Sequence, residues 1–131
     1  MTTPKSKSAQ GRASRAKGHT FERFVAGSVS LKWKCNARRG IQTRDGGKEA
    51  GDVIVSLVPV HIECKATERS SPWAALRQAR AEASENCYPI VIHKRNREGA
   101  VVIVDLDDFL TMTAGWAVEQ QLLAQFSRTE G

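Results

Sequence analysis

The sequence is poor in the residues that build most cofactor and metal centres. Cys35, Cys64 and Cys87 are its only cysteines among 131 residues. An odd number with no CxxC spacing supports neither a disulfide framework nor a zinc cluster. The three histidines, His19, His61 and His93, are scattered. No GKS or GKT follows the glycines at Gly40, Gly46, Gly47 and Gly51, which excludes a phosphate-binding P-loop. Apolar runs long enough to span a bilayer are missing, as is the apolar segment of a secretory signal. The expectation is a protein with reduced thiols and no membrane partner, located in the cytoplasm, with a viral or phage origin left open. Acidic residues are absent before Glu22.

What is present is positive charge, unevenly placed. The chain carries a formal +6. Lys5, Lys7, Arg12, Arg15 and Lys17 put +5 of it in the first seventeen residues. Lys32, Lys34, Arg38, Arg39, Arg44 and Lys48 then face only Asp45. From Glu98 onward the sign reverses, with Glu98, Asp105, Asp107, Asp108, Glu119 and Glu130 against Arg128. A molecule polarised in this way presents one side to a polyanion such as DNA. The length suits one domain and not two.

Residues 1–17 have almost nothing to bury and are expected to form a flexible basic arm, with residues 18–131 as the folded domain. Phe21, Phe24, Val25 and Val29 make a helical stripe running towards Trp33. A short strand is expected around Gly40 to Thr43, followed by a glycine-rich loop whose cations grip a phosphate backbone. Ser71 and Pro72 open a helix that should reach about Asn86 along a stripe of Ala75, Leu76, Ala79 and Ala83. PIVIHK and AVVIVD read as strands covered on both faces. Asp105 or Asp107 caps a short helix through Phe109 and Leu110, and Trp116 to Phe126 form a last one.

The stretch GDVIVSLVPVHIECK, residues 51–65, organises the rest. It reads as two strands, each with one apolar face and all its charge on the other. A two-residue turn at Val58 and Pro59 would set Leu57 across from Val60, Ile54 from Glu63 and Asp52 from Lys65. Two carboxylates and a lysine then share a patch. It can be a plain Asp52–Lys65 ion pair facing solvent, or a seat for a hard cation beside an ammonium that orients water. His61 shares the face of Glu63, as a sheet partner or as a minor contributor near that seat.

Gly51-Asp52 followed by Glu63-Cys64-Lys65 resembles the PD-(D/E)XK nuclease superfamily, with Gly51 where the family's proline stands. The string KGHTFERFVA is similar to the opening helix of Holliday junction resolvases in that superfamily, which singles out Glu22. In RQARAEA, Gln78 matches a glutamine that many relatives turn back towards the metal. The resemblance covers roughly residues 17–105 and implies an α/β, restriction-endonuclease-like core, a central mixed sheet flanked by helices. It implies Mg²⁺ or Mn²⁺ held by Asp52, Glu63 and the backbone carbonyl of Cys64, with Glu22 acting on a metal, directly or through water. Lys65 would position the attacking water. Lys17, Arg38, Arg39, Arg44, Lys48, Arg69 and Arg77 would contact DNA.

The implied activity is metal-dependent hydrolysis of phosphodiesters in branched DNA by a homodimer, as in a Holliday junction resolvase. A nuclease of the restriction or repair kind, and a basic DNA-binding module without catalysis, stay open beside it.

Overall fold

The computed structural model describes residues 6–41 and 51–130. Its first element, α1, runs from Lys7 to Trp33. The Ser6 side chain caps it by accepting the Ala9 N–H, and it ends at Lys34 in the left-handed conformation. The helix thus begins well before Gly18, and residues 7–17 are helical. Low hydrophobicity in that stretch says nothing about local backbone preference, and Ala, Gln, Lys and Arg are strong helix formers. Burial starts only at Phe21 and continues with Val25 and Ala26, while Phe24 of the expected stripe stays outside.

The strand β1, Ala37–Arg39, lies three residues ahead of its expected place at Gly40. Ser30 ties it to α1, its hydroxyl accepting from the Ala37 N–H at 2.9 Å and donating to the Ala37 carbonyl at 3.2 Å. The remainder of that expected strand, and the glycine-rich loop with Arg44 and Lys48, lie outside the described residues. After them come β2 (Val53–Val55), β3 (Val60–Ala66), α2 (Pro72–Glu82), β4 (Tyr88–Lys94), β5 (Val101–Val104) and α3 (Leu106–Thr129).

The five strands form one mixed sheet in the order β1-β2-β3-β4-β5. Only β3 and β4 pair in parallel, and α2 is the crossover that a parallel pair requires. α1 covers one face, where Phe21, Val25 and Ala26 pack on Val53, Ile62 and Ile90. α2 covers the other, its Ala75 and Ala79 meeting Val91. Alanines at that contact let the helix backbone approach the sheet closely, and Ala79 is fully buried. The result is the α/β, restriction-endonuclease-like architecture expected from the sequence.

Further expectations are corrected. The β2–β3 register is Val53 opposite Ile62, two residues away from the expected alignment, and residues 56–59 form the connection. A two-residue hairpin turn needs positive φ at its central residues, which Val58 and Pro59 cannot supply, so the loop widens. β5 is not a doubly covered strand but the sheet's edge, and Val101 and Val102 are exposed. The two terminal helices are one: α3 is continuous, capped by Asp105, and buries none of its residues. α2 has the expected Ser71 cap and Pro72 start but stops at Glu82, short of Asn86. No helix among the described residues is long and apolar enough to cross a membrane.

Candidate active site

The site forms just ahead of β2, where the chain pairs with β3. Gly51 sits there at φ +95°, and a Cβ on it would stand 3.1 Å from the Ile62 carbonyl. Such a backbone conformation is open to glycine at little cost. It brings Asp52 in against β3, where the Asp52 N–H donates to the Ile62 carbonyl at 2.8 Å. The Asp52 side chain returns the contact, Oδ2 accepting the Cys64 N–H at 2.8 Å. Continuing the observed register puts Asp52 beside Glu63, and not across from Lys65 as the narrower turn would have had it.

β3 alternates its side chains between two environments. Ile62 and Cys64 belong to the apolar cluster under α1. Glu63 and Lys65 take the other face, towards α2, in register with Val91 and His93 of β4. Glu63 is 3% exposed. Its Oε1 lies 2.8 Å from Nε2 of His61, which is equally buried. Burial first, and then the neighbouring carboxyls of Asp52 and Glu82, push Glu63 from 4.5 up to about 9. At neutral pH a carboxyl so placed keeps its proton, because charging it would put uncompensated negative charge among other acids.

Lys65 is half-buried, and its Nζ donates to Gln78 Oε1 at 3.1 Å. Gln78 in turn donates through Nε2 to Glu82 Oε1 at 3.3 Å. The α2 helix therefore presents Gln78 and Glu82, one turn apart, to the charged face of β3. Gln78, singled out by the resemblance, thus lies between Lys65 and Glu82. Glu82 was not foreseen, although it falls on the Ala75–Ala79 face at helical spacing, and that periodicity was its available signal.

Glu22 approaches from α1, on the opposite face of the sheet. Its Oε2 accepts from Arg39 Nε at 2.7 Å, both side chains being partly buried. Burial first, and then the charges of Asp52, Glu22 and Glu63, raise the Cys64 thiol far above its ordinary value, so that it is an inert thiol.

Two sets of donors could hold a cation. Ligand atoms of His61, Glu63 and Glu82 lie within 4.8 Å of one another. Asp52 and Glu63, with the Cys64 carbonyl, are the set the resemblance implied. Both sets centre on Glu63, and its chemistry fits a divalent ion: a buried carboxyl with acidic neighbours gains a compensating charge when a hard cation displaces its proton.

Of the expected DNA contacts, Arg69 and Arg77 are exposed, and Arg38 is exposed with its guanidinium donating to the Arg39 carbonyl at 3.2 Å. Arg39 is engaged by Glu22, and Lys17 donates to Asn96 Oδ1 at 3.0 Å.

No curated protein and no solved structure matches the chain. A family model described as phage putative PDDEXK endonuclease matches residues 13–129, a stretch that takes in most of α1, Asp52, all five strands, α2 and the whole of α3. With a match over nearly its whole length, the chain belongs to the phage putative PDDEXK endonuclease family and is a nuclease of the PD-(D/E)XK type.

Proposed function

We propose that the protein is a Mg²⁺-dependent endonuclease that cuts phosphodiesters in branched DNA, in the manner of a Holliday junction resolvase, and acts as a homodimer. The observation that carries the metal is the buried Glu63 with Asp52, Glu82 and His61 around it. Mg²⁺ or Mn²⁺ would be held by Asp52, Glu63 and the Cys64 carbonyl, with His61 and Glu82 near enough to Glu63 to ligate in their place. Bound there, the ion supplies Lewis-acid polarisation of the phosphate and a more acidic water.

The chain's own groups do the rest. Asp52 is preorganised by the Cys64 N–H, which fixes the carboxylate against rotation. Lys65, held by Gln78, offers an ammonium that can orient the attacking water and balance charge building on the phosphate. Gln78 links Lys65 to Glu82, its oxygen accepting a hydrogen bond from the ammonium and its amide donating to the Glu82 carboxylate. Glu22, paired with Arg39 on the α1 side, would act through water or on a second ion.

Two features support the finer reading. The N-terminal half of α1 is exposed and cationic, with Lys7, Arg12, Arg15 and Lys17, which favours recognition of backbone shape over base sequence. α3 exposes Trp116, Val118, Leu122, Leu123 and Phe126, an apolar surface fit for a second copy.

Synthetic four-way junctions, flaps and linear duplexes incubated with Mg²⁺ test the reading. Paired symmetric nicks confined to the junction are expected, abolished in Asp52→Asn and lowered at least a hundredfold in Lys65→Ala. Cutting without junction preference would replace the resolvase reading by a restriction or repair type of nuclease. Binding without metal-dependent cutting would leave only a DNA-binding module.

A further inference from the structure

On the α1 face of the sheet is a cleft of about 330 Å³ lined by Lys17, Thr20, Phe21 and Phe24 from α1 and by Ala66, Lys94, Arg95 and Asn96 from the strand ends opposite. The α1 residues follow the i, i+3, i+4, i+7 spacing that places them on one helical face. Lys17 Nζ donates to Asn96 Oδ1 and bridges the two walls. The opposite wall is braced from behind, where the Asn96 N–H donates to Glu68 Oε1 at 2.6 Å.

The chemistry of this lining is selective. Phe24 is 60% exposed, and its ring stacks on the buried Phe21 with centroids 6.4 Å apart and 17° between planes. The Phe24 ring is therefore backed on one side by Phe21 and leaves much of its surface open to solvent. Three cations, Lys17, Lys94 and Arg95, surround it, and no acidic residue lines the cleft. A flat apolar group joined to an anion satisfies both halves of such a site, and a nucleobase with its phosphate is that combination. The volume is at the small end of ligand sites, which run from about 300 to 1,000 Å³. A base inside a duplex has both faces stacked on its neighbours and cannot offer one to Phe24, so the occupant must be unpaired.

We propose that this cleft seats one unpaired nucleotide, its base on Phe24 and its phosphate between Lys17, Lys94 and Arg95. That the nucleotide belongs to DNA rests on the nuclease reading above; the cleft itself lies on the α1 face of the sheet, whereas Glu63 and Lys65 take the α2 face. The cleft then favours a strand that leaves a duplex, which is where unpaired nucleotides occur.

The test is binding by the full-length protein without divalent metal, read as fluorescence anisotropy of labelled oligothymidylate, the same strand with abasic residues, oligouridylate and a blunt duplex. Phe24→Ala is expected to weaken oligothymidylate roughly tenfold and to leave the abasic strand and the duplex unchanged. Phe24→Tyr keeps a ring in place and should retain the affinity. Lys94→Ala with Arg95→Ala should weaken all the strands and flatten their salt dependence. Tighter binding of thymidylate than uridylate assigns the cleft to DNA, and equal binding assigns it to single strands of either sugar. An unchanged oligothymidylate affinity in Phe24→Ala, or an equal loss on the abasic strand, overturns the proposal. Because no cleavage is involved, a wild-type protein that cuts nothing with Mg²⁺ would sink the nuclease reading and leave this binding result standing.

Discussion

Glu63 is the residue on which both chemistry and stability turn. In the metal-free protein its carboxyl is raised from 4.5 to about 9, chiefly by burial and then by Asp52 and Glu82. The folded state therefore holds a proton that the unfolded chain releases. That contribution to stability is complete below pH 4.5 and drains away as the pH climbs towards about 9. The decline can reach at most ~1.4 kcal/mol per pH unit. Urea titrations in a chelator across this window are expected to show the fall, and Glu63→Gln, which cannot ionise, should flatten it. The same variant should cut no DNA. Restoring Mg²⁺ to the wild type is expected to raise its urea midpoint most at high pH, where the carboxylate is available to a cation.

Gly51 offers a second test at this scale. Alanine there would hold φ +95° against its preference and press a methyl on the Ile62 carbonyl. A loss of about 1–2 kcal/mol in urea denaturation is expected. Since Gly51 also sets the approach of Asp52, the loss of cleavage should exceed what the fraction unfolded explains.

Among the elements, α2 shows what a sequence can disclose. Ser71 accepts the Ala74 N–H and Pro72 takes the first helical position, so local chemistry starts this helix. Ser71→Ala should cost about 1 kcal/mol, read by thermal melting followed by circular dichroism. The alternation of β3, and the gathering of Glu63 and Lys65 on one face, were equally legible, because strand periodicity needs no partner to express itself. The β2–β3 register was not: it depends on the loop that Val58 and Pro59 force, and the two-residue shift it causes moves Asp52 from Lys65 to Glu63. Glu82 and the Glu22–Arg39 pair depend on how α2 and α1 settle on the sheet, a tertiary outcome. The edge position of β5 escaped for the same reason, since an apolar run looks alike whether both of its faces are covered or one waits for another surface.

At the scale of the molecule, the imbalance between its two ends is the main fact. α3 buries no residue, yet Phe109, Trp116, Leu123 and Phe126 repeat at near-heptad spacing along it. A dimer joined through α3 should sediment as two copies at micromolar concentration, and Leu123→Glu with Phe126→Glu should return it to one. Junction cutting by that variant should lose its paired character while single nicks persist, because each copy carries its own Glu63, Asp52 and Lys65.

The opposite end has a different consequence. α1 is 27 residues long, about 40 Å at the usual rise, but only the portion from Lys17 onward contacts the sheet and its strand ends, and burial starts at Phe21. The overhanging portion before Lys17 contains Gly11, worth about 1 kcal/mol less helix than alanine, and its cations repel one another. Helicity there is thus on loan from the solution conditions. Added salt or a polyanion should lengthen the helix, and dilution into low salt should fray it, so that the far-ultraviolet spectrum of the whole protein becomes a gauge of whether this lever arm is engaged.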